Sequence, residues 1–222
     1  MIVVIGSPVG RSDDGVVVAA GMASRVALVA AAAGRTVQLV GKTGDDPTAD
    51  SVVLDLARGG VGHAALLRDP ARATPIEVAP GDDEPVDIEA PGDGAVADGD
   101  AAAAQTPGPA LESADVDLGL RYLTDFAVIV LAEPVQPETV AIVAEAARWA
   151  GARMILVVPA GAPVSDGLPS DVVAFEAPAA DPDGAFAALV GQFAADLDQG
   201  VDPGEAFRTS VATDGWTVAT DD

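Results

Sequence analysis

Chemistry in this chain has to come from carboxylates, backbone amides and few bases, because it has no cysteine, one histidine (His63) and one lysine (Lys42). The stretch richest in usable groups is D-P-D-G-A-F-A-A-L, Asp181 to Leu189, where a Gly-Ala pair opens an amphipathic segment that runs to Gly200. The free amides of a helix start and the positive end of its dipole form a ready anion site, so Gly184, Ala185 and Phe186 could cradle a phosphate. The same residues also read as an ordinary Pro/Asp/Gly turn in which Asp181 or Asp183 caps the helix. Asp181, Asp183 and the distant Asp14 are carboxylates that could take a proton from a hydroxyl. His63, without a second histidine or a cysteine to share a metal, reads as an edge residue, and no metal site is expected.

Composition narrows the setting for that chemistry. A chain of 222 residues, 50% of them hydrophobic, can bury a substantial core. Its formal charge of −24 would repel nucleic acid and anionic membranes, so neither is expected as a partner. The excess of aspartate and the near absence of lysine match the surface bias of halophiles, although genomic GC bias would have the same effect. Without cysteine there are no disulfides, and M-I-V-V-I-G-S lacks the basic start and long apolar core of a secretory signal. No apolar run reaches the length of a membrane span. The expectation is a soluble, cytoplasmic protein.

The elements that must position these groups alternate between strand and helix. An apolar strand, Ile2 to Ile5, ends at Gly6-Ser7-Pro8; a polar loop, Gly10 to Gly15, leads to a second strand at Val16 to Val18. A helix is expected from about Ala23 to Ala33, a strand from Thr36 to Val40 and a helix from about Thr48 to Arg58, with Gly34, Gly59 and Asp46-Pro47 where helix ends belong. Short strands follow at Ala64 to Leu67 and Ile76 to Val78. The stretch from Pro80 to Glu112 carries acidic, Pro- and Gly-rich sequence without an aromatic or basic residue, and reads as a disordered or loop insertion. Beyond it come a helix at Asp115 to Leu123, a strand at Phe126 to Leu131, a helix at Pro137 to Trp149, a strand at Met154 to Val158 and a helix over 184–199. This alternation predicts a single α/β domain over 1–222 with a mostly parallel sheet.

Three pieces in order, A-G-M-A-S-R with its Ala-rich helix, V-G-K-T-G-D-D-P and R-G-G-V, resemble the N-terminal half of the ribokinase/PfkB carbohydrate kinases, whose pattern runs G-G-x-A-A-N and then V-G-x-x-G-D-D. The resemblance implies a three-layer α/β/α domain of ribokinase-like topology and ATP- and Mg2+-dependent phosphorylation of a sugar or nucleoside. It sets Gly21, Arg25, Gly41 and Asp45 at substrate-binding positions. Arg25 replaces the family's Asn and would fill or recharge that pocket.

The departures fall on the machinery. Laying D-P-D-G-A-F-A on the family's D-T-x-G-A-G-D puts Phe186 on the second Gly and Ala187 on the catalytic Asp. The lid strands over the sugar are expected to be absent, because Gly6 to Gly21 offers too little chain. The magnesium-holding N-x-x-E segment and the strands that carry ATP also lack a counterpart. The expectation is a degenerate, non-catalytic member that keeps the scaffold to bind a small molecule or a protein. The alternative is an active sugar or nucleoside kinase with Asp181, Asp183 or Asp14 as a displaced base. Oligomeric state and ligand identity are not legible. An unrelated Rossmann-type binder is disfavoured, since no G-x-G-x-x-G follows the first strand.

Overall fold

The fold is described from a computed structural model over residues 1–77, 108–162 and 168–213. In chain order its elements are β1 (Ile2–Ile5), β2 (Val9–Asp13), β3 (Val16–Ala20), α1 (Gly21–Ala32), β4 (Val37–Gly44), α2 (Pro47–Arg58), β5 (Val61–Asp69), β6 (Ile76–Glu77), α3 (Ser113–Arg121), β7 (Val128–Leu131), α4 (Pro137–Ala150), β8 (Arg153–Pro159), β9 (Val173–Ala177), α5 (Ala185–Asp198) and α6 (Pro203–Thr213). Six strands form one sheet in the order β5-β4-β1-β7-β8-β9, and every pairing within it is parallel. Unbroken apolar runs are the form such strands take, because both of their faces are covered. All residues of β1 and β7 are buried.

Alternation along β1 divides the core. Ile2 and Val4 join α1, α2 and α5 through Val26, Val52, Leu56, Val190 and Phe193. Val3 and Ile5 face the other way, onto α3 and α4 through Val116, Leu120, Val143 and Ala147. The result is the expected three-layer α/β/α arrangement. Where α1 crosses α5, a Cβ on Gly191 would lie 2.8 Å from the Val26 carbonyl oxygen, so this glycine sets the helix separation.

Two expectations about strands are corrected. The segment between Gly6 and Gly21 holds two strands: Asp14 and Gly15, at φ 46 and 80, make a two-residue turn, and β2 pairs antiparallel with β3 from Asp13↔Val16 to Val9↔Ala20. With β6 parallel to β2, a separate three-stranded sheet forms where a polar loop was expected before the second strand. It is anchored to α2 by the Ala19 amide, which donates to Asp55 Oδ2 at 2.9 Å. A further strand also follows β8: β9 pairs with it from Ile155↔Val173 to Pro159↔Ala177. At this sheet edge only Phe175 of β9 is buried, which leaves a short apolar signal in sequence.

The acidic segment is also trimmed. Residues 80–107 of the expected insertion lie outside the described residues, but Gly108 to Glu112 belong to the folded unit. Pro109 is buried, and the Glu112 amide donates to Asp115 Oδ2 at 3.0 Å at the start of α3. Among the described residues, no helix is long and apolar enough to cross a membrane.

Candidate functional site

Of the two readings of the α5 start, the structure takes the cap. Gly184 adopts φ 71, a left-handed conformation open to glycine at little cost, and turns the chain so that the Asp181 carboxylate meets the first helical turn. Oδ1 accepts from the Phe186 amide and Oδ2 from the Ala187 amide, each at 3.0 Å. Of the three amides read as a phosphate cradle, that of Phe186 holds this carboxylate and that of Gly184 donates to the Asp181 carbonyl at 3.2 Å. The Phe186 ring turns inward, 6.5 Å edge-on to Phe175, and Ala187 is wholly buried. Asp183 is exposed beside the turn, and Asp14 is exposed at the β2–β3 hairpin tip.

The positions that the resemblance assigns to a substrate have protein partners. Arg25 Nη1 donates to the Asp181 carbonyl at 2.7 Å, and Nη2 pairs with Glu77 Oε2 at 2.9 Å. A single guanidinium thus ties α1 to both the α5 turn and β6. Gly21 opens α1 at φ 80, with Val9 Cγ2 3.1 Å from where its Cβ would be. Gly41 lies against the Gly6 carbonyl, so a side chain there would collide with the backbone at the end of β1. Asp45 is exposed and pairs with Arg68 at 3.4 Å.

Its neighbour Asp46 caps α2. Oδ1 accepts from the Ala49 amide at 2.8 Å and Oδ2 from the Thr74 amide at 2.6 Å, while Thr74 Oγ1 accepts from the Gly44 amide at 3.0 Å. Burial pushes the Asp46 carboxyl up, but these hydrogen bonds outweigh it and hold it below its ordinary range. Lys42 donates to Asp115 at 2.8 Å, a bond that raises its pKa. In V-G-K-T-G-D-D the polar side chains with assigned partners therefore join α2, α3, β5 and the loop that follows it. His63 is exposed on edge strand β5, in keeping with its reading as an edge residue.

A different set of groups meets where the sheet order reverses. From β1 the chain goes on to build one side of the sheet, and from β7 the other, which leaves a crevice beyond their carboxyl ends, the usual ligand position in open α/β sheets. Glu133, just after β7, reaches across it, and its Oε1 accepts from the Ser7 amide just after β1 at 3.0 Å. Burial raises the Glu133 pKa above the usual carboxylate range, and the Ser7 hydrogen bonds offset this only in part. A cavity of about 670 Å³ opens here, lined among others by Ser7, Pro75, Leu111, Glu133, Val135 and Thr139. That volume suits a small ligand. Thr139, on the first turn of α4, is fully buried, and its hydroxyl has no hydrogen-bond partner in the structure.

Glu133 and Thr139 escape the motif reading because E-P-V-Q-P-E-T resembles any helix lead-in. The one available signal is an acidic residue just past a fully apolar parallel strand. At the start of α5, the Phe186 and Ala187 amides hold the Asp181 carboxylate. Among the described residues, no three His, Cys, Asp or Glu side chains converge to hold a metal ion.

No family model and no curated protein matches the chain. Solved structures do. Arabidopsis thaliana ribokinase complexed with ribose and ATP aligns with TM-score 0.64 at 15% identity, over 96% of this chain and 90% of that one. A putative ribokinase II from E. coli, in complex with ATP and Mg2+, aligns with TM-score 0.63 at 13% identity, over 99% and 93%. Escherichia coli phosphofructokinase-2 in complex with fructose-6-phosphate gives 0.60 at 16%, over 96% and 92%. At these identities the likeness speaks for the fold, and it agrees with the sheet order, the two helical layers and the motif order in the sequence: this protein has the ribokinase-like fold.

Proposed function

We propose that this protein binds a small polyhydroxylated ligand in the crevice between β1 and β7 and does not transfer a phosphoryl group. The observation that carries the second half is the Asp181 carboxylate on the Phe186 and Ala187 amides. Phosphoryl transfer needs amides or cations aimed at the phosphate and a carboxylate that takes the hydroxyl proton. Here an anion already holds the Phe186 and Ala187 amides, and Ala187 has no side chain that accepts a proton.

The first half is supported by the crevice itself. Glu133 and Ser7 line the cavity with a carboxylate and a hydroxyl, groups that suit the recognition of hydroxyl groups. The fold neighbours crystallised with ribose and with fructose-6-phosphate favour the same ligand class. The charge of −24 supports neither nucleic acid nor an anionic membrane as partner.

The test has two arms, both in molar KCl with magnesium. A radiolabelled-ATP assay across sugars and nucleosides should show no turnover above background, and a thermal-shift screen with the same compounds should show stabilisation by at least one. Turnover that Asp181→Asn, Asp183→Asn or Asp14→Asn abolishes would establish the kinase reading instead. No shift with any compound would remove the binding reading.

A further inference from the structure

We infer that the β1–β7 crevice selects a polyhydroxylated ligand that carries no phosphate or carboxylate group. This rests on the reading of the crevice as a small-molecule site and narrows its ligand class.

An anion is recognised by a cation or by the free amides of a helix start. The crevice lacks the first. Among its lining residues are three with carboxyl groups, Glu112, Glu133 and Glu138, and no Lys, Arg or His. All eleven Lys and Arg of the chain, and His63, lie within the described residues, so no other part of the chain can supply a base. Lys42 is already paired with Asp115 at 2.8 Å, and Arg25 with Glu77 at 2.9 Å.

Two helices open on the cavity, and both starts are acidic. α3 has Glu112 as its N-cap residue and Asp115 in its first turn, where Oδ2 accepts from the Glu112 amide at 3.0 Å. α4 begins on Pro137, which has no N–H, carries Glu138 in its first turn and turns the Thr139 amide onto the Gln136 carbonyl at 2.9 Å. Elsewhere on this edge of the sheet, Asp46 caps α2 and Asp181 caps α5. Of the helices that start here, only α1 has neither a capping carboxylate nor an acidic residue in its first turn, and none of its residues lines the cavity. A phosphate or carboxylate entering the crevice would lose water without gaining a counter-charge. A hydroxyl can donate to the carboxylates, while Pro75, Pro109, Leu111 and Val135 offer apolar walls to the carbon skeleton.

Calorimetric titration of the full chain in molar KCl compares neutral with anionic compounds in two pairs: D-ribose with D-ribose 5-phosphate, and D-glucitol with D-gluconate, which differ little in size. In each pair the neutral compound should bind about tenfold or more tightly, a difference of about 1.4 kcal/mol. The double variant Glu112→Gln, Glu138→Gln should narrow the gap. An anion that binds as tightly as its neutral counterpart in either pair overturns the inference and leaves the binding proposal intact; that comparison needs no variant to fold. A gap that the double variant leaves unchanged also overturns it, because shape rather than charge would then exclude the anion. If none of the four binds, the same pairing is extended to the wider sugar panel: an ester or acid that binds where its neutral parent does not overturns the inference, and no binding at all removes the binding proposal together with it.

Discussion

Replacing Asp181 with alanine removes both acceptors from the first turn of α5 while leaving the Asp181 carbonyl to Arg25. Loss of a capping side chain costs about 0.5–2 kcal/mol in general. Here two amides lose a charged acceptor at 3.0 Å, at the positive end of a helix of 14 residues, which places the cost near the top of that range. About 2 kcal/mol in a domain of this size lowers the melting temperature by roughly 4–8 °C. Asp183→Ala, two residues along and exposed, should change stability by no more than about 0.5 kcal/mol. The assay is thermal unfolding by circular dichroism at fixed KCl, repeated with added phosphate. In D181A the freed amides become an anion site, so phosphate should recover more stability in the variant than in the parent protein; at tenfold over its dissociation constant the gain is about 1.4 kcal/mol. Comparison with the parent removes the general stabilisation that phosphate gives any folded protein. A D181A protein that melts within a degree of the parent, or an Asp183→Ala that costs as much, would refute the capping argument and with it the main support for a filled phosphate site.

Glu133→Gln should raise stability at neutral pH. A carboxyl whose folded pKa is raised by burial contributes stability that is fully present below its unfolded pKa and lost as pH rises through the folded value, so the advantage of glutamine should shrink towards about pH 4. Urea midpoints at the two pH values check it. Phe193→Ala, at a ring 1% exposed and 5.2 Å edge-on to Phe175, should cost about 3–5 kcal/mol by denaturant unfolding. Gly191→Ala should cost about 1–3 kcal/mol despite the better helix propensity of alanine, because the Val26 carbonyl and Val29 Cβ, each 2.8 Å from the new methyl, have to give way; a stabilised variant would show that α1 and α5 separate freely. With 35 acidic and 11 basic residues, self-repulsion should be screened by salt, and unfolding temperature should rise from low to molar KCl. A flat response would remove the halophile reading.

Much of the scaffold is legible locally. Ile2–Ile5 and the Val128–Leu131 strand are runs with no polar interruption, and only a strand covered on both faces tolerates that. Asp46-Pro47 announces α2 because a capping carboxylate and a fixed proline φ act within one turn. The order of such pieces, each weak alone, points to the ribokinase-like fold. Less legible were the β2–β3 hairpin and β9. The first depends on Asp14 adopting a left-handed conformation, which its sequence does not require, and the second on an edge position where burial is slight.

The groups that bear on function belong to the tertiary structure. Sequence determined that Ala187 cannot be a base and that Asp181 and Asp183 could both cap α5. Choosing Asp181 required the turn at Gly184, held from outside by an arginine 156 positions earlier. Sequence likewise contains Ser7, Glu133 and Thr139 without relating them. Ser7 and Glu133 are 126 positions apart and meet only because β1 and β7 are neighbours in the sheet, with their carboxyl ends at the point where strand order reverses. Short-range preferences act over a turn or a few residues. Which strand ends become neighbours, and so which carboxylate is desolvated beside which hydroxyl, is set by the packing of the whole sheet against its two helical layers.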